Sequence, residues 1–230
     1  MFTGFTEETG AFFWELAFHN ERPWFLEHKQ QFERVVNEPF KALAHELYAE
    51  LSRRLPDEEF SVHLSRIYRD ARRLFGRGPY KDHLWFTLSP AGGGDYGPAF
   101  WFEIGAADYS YGLGFWAPGA STMEALRRGI DANPAAFERL VGEISPMKGF
   151  TLHGEEYRRP KGERGPVIDP WYNRKYLDFG TRRDHDALLY SPELVGRMAR
   201  DFERLMPLCR FMLEAVKTAA PPKEEKRPQR

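Results

Sequence analysis

Hydrophobic residues recur at helical spacing through the first quarter of the chain and then switch to strict alternation, so the sequence divides by period before any motif is considered. Thr6 reads as an N-cap, and Glu7 and Glu8 suit the positive end of a helix dipole. Phe12, Phe13, Leu16 and Ala17 then share one face until His19 and Asn20 close the element. Pro23 fits the first turn of a second helix carrying Phe25, Lys29, Phe32 and Val36. Asn37, Glu38 and Pro39 interrupt it and cap a third, striped by Phe40, Leu43, Leu47 and Leu51. From Phe60 the period is two. Phe60, Val62 and Leu64 alternate with polar residues, as do Leu84, Phe86 and Leu88, then Phe100, Phe102 and Ile104, then Tyr109, Tyr111, Leu113 and Phe115. Short links between the later runs predict antiparallel neighbours. Gly112 and Gly114, on the other face of the fourth run, leave room for another backbone, a helix or a ligand.

Helical spacing returns after Ser121, where Ser121 and Glu124 have the spacing of a capping box, and again after Asn133 and Pro134. Residues 145–170 are rich in Gly, Pro and charge and read as an irregular segment, a length that usually means function or disorder. Residues 176–180 suit a fifth strand, and Ser191-Pro192 opens a long terminal helix with Pro207 inside it. The expected fold is α+β: an antiparallel meander of about four to five strands packed with N-terminal, central and C-terminal helices. One domain is expected over residues 1–219, with a disordered tail over 220–230 that holds no apolar anchor.

Composition narrows the function classes. The 230 residues carry a net charge of −1, which argues against a nucleic-acid partner because that role needs a broadly basic surface. A single cysteine, Cys209, excludes an internal disulfide and fits a reducing, cytoplasmic setting. No secretory leader is expected from the first residues, and no run approaches the ~18–20 apolar residues of a membrane span.

Against that near-neutral background residues 66–81 concentrate six cations, Arg66, Arg69, Arg72, Arg73, Arg77 and Lys81, around one anion, Asp70. The stretch lies between two strand-like runs and ends in the turn residues Gly78 and Pro79. Three readings are open. In the first, Arg69, Arg72, Arg77 and Lys81 hold a small anionic or phosphorylated ligand, the guanidiniums by paired bonds and Lys81 as a point charge, with Tyr80 as a hydrogen-bonding wall. In the second, the protein is a hydrolase or transferase acting on that ligand, with Asp70 as acid or base. In the third, Arg69, Asp70 and Arg72 form an ion-pair network that braces a structural or protein-interaction domain.

A second cationic group, Arg158, Arg159, Lys161 and Arg164, followed by Arg174 and Lys175, reads as a solvated loop. Arg159, Lys161 and Lys175 become secondary ligand candidates only if that loop folds over the first group. No metal and no cofactor are expected: the seven histidines form no pair at zinc spacing, and Asp184-His185-Asp186 reads as a polar turn. Cys209 sits in an apolar helical run and reads as core, and no nucleophile elbow is present. Trp85, Trp101 and Trp116 lie on or beside strands, where core packing is the default and a stacking platform the alternative. The oligomeric state is left open.

Several of these residues together resemble the motifs of a conserved hypothetical family of bacterial and fungal proteins known as a domain of unknown function. The resemblance is carried by Gly4-Phe5-Thr6, His19-Asn20, Trp24-Phe25 and Lys29. Its signature, Arg-Asp-x-Arg-Phe-x-x-Asp-Lys-x-Pro-Tyr-Lys, is similar to the run from Arg69 to Lys81, and turns at 112–118 and 160–162 match as well. The chain departs from the pattern at His19, Arg73, Gly76 and Arg77, and Gly76 removes an acidic side chain that relatives have as a base or ligand candidate. The resemblance implies mixed helices and sheet and carries no activity.

Overall fold

The computed structural model describes residues 1–70, 72, 78–94, 97–115 and 117–219. The expected tail at 220–230, Trp116, and the cations Arg73 and Arg77 lie outside the described residues. Four helical segments come first: α1 (Glu7–Phe18), α2 (Arg22–Glu27), α3 (Lys29–Phe32) and α4 (Glu38–Arg54), the last two joined by a π-helical turn over Glu33–Asn37. The expected break at Asn37-Glu38-Pro39 is therefore a widened turn in a continuing helix. Pro39 has no N–H to offer the Val35 carbonyl four residues back, and the hydroxyl of Thr9 on α1 donates there instead, at 2.7 Å. Asn37 does not cap; its amide donates to the Glu33 carboxylate at 2.5 Å.

The α+β reading holds, with six strands in one antiparallel sheet. These are β1 (Phe60–Leu64), β2 (Leu84–Pro90), β3 (Pro98–Ile104), β4 (Asp108–Phe115), β5 (Phe150–His153) and β6 (Asp178–Asp184), in the spatial order β1-β2-β3-β4-β6-β5. The first four form the expected meander. The additional strand is β5, inside the segment read as irregular. It has only four residues between Gly149 and Gly154, both at positive φ, too short for alternation to stand out. Pairing with β6 makes it a strand. Strand β6 runs on past the expected end at Gly180, because Thr181 and Arg183 continue the inward-facing row through charged sequence.

Helices α5 (Ala120–Ala132), α6 (Pro134–Ile144), α7 (Asp169–Tyr172) and α8 (Glu193–Thr218) complete the chain. Asn133 caps α6 as expected, accepting from the Ala136 N–H at 3.1 Å. The box at Ser121 does not form, since the cap of α5 falls two residues earlier, at Gly119. One face of the sheet is apolar and packs on α4 and α8: Phe100 stacks on Phe202 of α8 at 4.6 Å, and Tyr111 meets the same ring at 6.0 Å. Each fully buried aromatic here contributes roughly 1.5–3 kcal/mol. Among the described residues no helix is long and apolar enough to cross a membrane.

The opposite face stays half-exposed. Alternation places His63 of β1, Trp85 and Thr87 of β2, Trp101 and Glu103 of β3, Ser110, Gly112 and Gly114 of β4, and Asp178, Gly180 and Arg182 of β6 on it.

Candidate functional site

The basic stretch is the long connection from β1 to β2, and its two ends pair with each other. The Arg69 N–H donates to the Pro79 carbonyl at 2.8 Å and the Lys81 N–H to the Ile67 carbonyl at 2.7 Å, closing a short antiparallel bridge between Tyr68 and Tyr80. Asn20, at the end of α1, acts as a further strand for this stem: its amide donates to the Tyr80 carbonyl and accepts from the Tyr80 N–H, both at 2.9 Å. A side chain at Gly78 would collide with Asn20 at 2.3 Å, so the turn requires glycine.

The side chains of the stretch divide by what they touch. Tyr80 is 2% exposed, its ring stacked 4.1 Å from Phe25, so the phenol lies in the interior rather than along an open wall. Burial raises its pKa. Arg69 is largely covered; its Nε donates to the Tyr80 carbonyl at 2.6 Å and its Nη2 lies 3.4 Å from Asp82. Arg72 is exposed and binds Asp70 through both Nε, at 3.1 Å, and Nη2, at 2.8 Å, and Asp70 also accepts the Arg72 backbone N–H at 3.0 Å. Asp70 holds the Arg72 guanidinium more firmly protonated than usual. Arg77 lies outside the described residues.

Lys81 differs from the other cations. Its ammonium donates to the Arg66 carbonyl at 2.8 Å and lies 5.8 Å from the centre of the Trp85 ring, on the open face of the sheet. Desolvation, and then the neighbouring positive charge of Arg69, pull its pKa below the ordinary lysine value. Among the described residues no carboxylate acts in the other direction. His63 flanks the same indole at 5.3 Å.

The second cationic group does not join the first. Arg159, Lys161 and Lys175 belong to the β5–β6 edge, whereas the stretch belongs to β1–β2, and β2 and β5 stand four strand spacings apart, about 19 Å. Lys175 pairs with Glu155, Arg174 with Glu156 at 3.1 Å, and Lys161 lies 4.6 Å over the Tyr157 ring. Arg159 is exposed.

Across the open face, Trp101 lies diagonally from Trp85 in the β2–β3 register, and Glu103 is directly opposite Trp85. The Trp101 indole N–H donates to Asp178 at 3.0 Å. Burial raises the Asp178 pKa, against the opposing effects of that donor and of His153, its cross-strand partner. Asp178 and Glu103 escaped the sequence reading. The signal that points to them is the set Gly112, Gly114 and Gly180, which share this face and leave it room. Among the described residues no three His, Cys, Asp or Glu side chains gather closely enough to hold a metal. Two surface hollows of about 310 and 320 Å³ lie at α5–α8 and at α4–α8, away from this face.

The chemistry on offer is thus a cation above an indole at one side of the face, with carboxylates and a second indole towards its middle. Residues 8–211 match the model of a family described as conserved hypothetical protein (DUF2461). A search among curated proteins found no match.

Proposed function

The chain belongs to the conserved hypothetical family DUF2461, and from the geometry of its open sheet face we propose that it binds a small anionic, phosphorylated ligand beside Lys81. The observation that supports this reading is the state of the Lys81 ammonium. It is partly desolvated, bonded to a carbonyl rather than a carboxylate, and pushed towards neutrality by Arg69. An ammonium has three donors, so one carbonyl leaves bonding capacity unused. An oxyanion seated there supplies acceptors and offsets the Arg69 field, and charge-assisted bonds of this kind are worth ~1.5–3 kcal/mol. The Trp85 ring beneath shields the ammonium from water on that side.

In this reading Arg69 and Tyr80 position Lys81 by fixing the stem, and Lys81 touches the ligand. Arg72 and Asp70, bonded to each other in solvent, form a neutral pair and contribute little. The enzyme alternative with Asp70 as acid or base draws less support, because that carboxylate is occupied by Arg72.

Thermal-shift measurements against nucleoside and sugar phosphates test the proposal, using wild type, Lys81→Met and Trp85→Leu. A phosphorylated compound should stabilise wild type and neither variant, while unliganded Lys81→Met melts within a few degrees of wild type. If no phosphorylated compound stabilises wild type and Lys81→Met melts far earlier, Lys81 is a brace and the ligand reading fails.

A further inference from the structure

On α5, against Tyr157 of the loop that follows β5, Arg127 is 8% exposed, and its Nη1 is fully buried with no hydrogen-bond partner among the described residues. A buried guanidinium N–H left unpaired is costly, and native folds rarely keep one without a role. Its surroundings are rich in cations and aromatic rings. Arg127 lies 5.5 Å from the centre of the Tyr157 ring, and Lys161 lies 4.6 Å from the same centre. Arg164 stacks 4.9 Å from the adjacent Tyr172 ring. The nearby countercharge is Asp131, one turn along α5, and both its oxygens are occupied: Oδ1 accepts from Arg164 Nε at 2.7 Å and Oδ2 from the Tyr172 hydroxyl at 2.8 Å. Arg164 holds that carboxyl below the usual range, so it stays committed. Among the described residues no carboxylate comes within ion-pair distance of Arg127 or Lys161.

The loop that brings these cations together is braced. Asn173 accepts from the Lys161 N–H at 2.6 Å and the Gly162 N–H at 3.3 Å, and donates to the Gly162 carbonyl at 3.0 Å. Asp169 takes the Arg164 N–H at 2.6 Å. Arg127 and Lys161 are therefore held against the same Tyr157 ring by a braced loop, and an anion there would offset their charge.

We infer a second binding site, independent of the one beside Lys81, in which an inorganic oxyanion or the phosphate of a small ligand sits between α5 and the 157–164 loop, on Arg127, with Lys161 at its mouth. The Tyr157 ring, which both cations approach, lines the entrance to the site. Arg164 stays on Asp131 and shapes the wall.

The test uses inorganic phosphate at fixed ionic strength, with chloride as control. At about ten times its dissociation constant, phosphate should raise the wild-type melting temperature by about 3–5 °C beyond chloride. Arg127→Met and Lys161→Met should lose that rise, Tyr157→Ala should retain it, and Lys81→Met, in the β1–β2 connection, should retain it in full. Lys161 is exposed, so its variant remains informative even where Arg127→Met folds poorly. A wild type that responds no more to phosphate than to chloride would overturn the inference. So would a full phosphate response in Arg127→Met or Lys161→Met.

Discussion

The indole N–H of Trp101 on β3 reaches across β4 to the carboxylate of Asp178 on β6, 3.0 Å away. Gly180 makes the span sterically feasible. A β-carbon at Gly180 would lie 2.9 Å from the Trp101 ring and 2.9 Å from the Tyr111 carbonyl; one at Gly112 would lie 2.5 Å from the Phe179 carbonyl. The space left by glycine on this face is filled, at least in part, by the protein's own indole.

Gly180→Ala should therefore destabilise the fold by roughly 1–3 kcal/mol, because either the indole or the strand backbone has to move. Urea unfolding measures this directly. A variant as stable as wild type would mean that the indole does not depend on that gap.

Asp178 predicts a pH dependence. Burial raises its folded pKa above the unfolded value of about 3.9, so the folded state holds the proton more tightly. Its contribution to stability is then fully present below the unfolded pKa and is lost as the pH rises through the folded one. Asn at this position still accepts the indole hydrogen bond but never ionises. Asp178→Asn should thus gain stability relative to wild type as the pH rises from about 4 to 7. A gap that stays flat, or shrinks with rising pH, would contradict the burial argument.

Asn20 carries the stem of the basic connection. Asn20→Ala leaves the Tyr80 N–H without its partner, while the Tyr80 carbonyl keeps Arg69. Loss of one partly buried pairing should cost about 1–3 kcal/mol and loosen Lys81, weakening any ligand held there. Hydrogen exchange at the Tyr80 amide should accelerate in the variant; an unchanged rate would show that Asn20 is not its protection.

Much of the fold was legible from periodicity, because Phe86, Phe100, Phe102 and Tyr111 alternate cleanly with polar residues. What escaped depended on partners distant in sequence. Strand β5 exists through its pairing with β6, and the helix survives Pro39 because Thr9, thirty positions earlier, supplies the missing donor. The site was legible as a charge cluster but not as geometry. Spacing does not show that Tyr80 stacks on Phe25, or that Lys81 alone among the described candidate cations of its stretch lies over Trp85. Arg127 sits in an ordinary helical pattern, and spacing does not show that its guanidinium lies against Tyr157 with one buried nitrogen unpaired.

The central claim is that Lys81 holds the anionic group of a ligand, and calorimetric titration of the best phosphorylated compound into wild type, Lys81→Met and Arg72→Ala tests it most directly. Loss of a charge-assisted bond worth ~1.5–3 kcal/mol predicts an affinity roughly 10- to 150-fold weaker in Lys81→Met. Arg72, already paired with Asp70, should matter about twofold or less, since exposed pairs contribute little. Binding to wild type should also weaken towards alkaline pH as the Lys81 ammonium loses its proton. Equal affinities for wild type and Lys81→Met, in proteins of equal stability, would contradict the account.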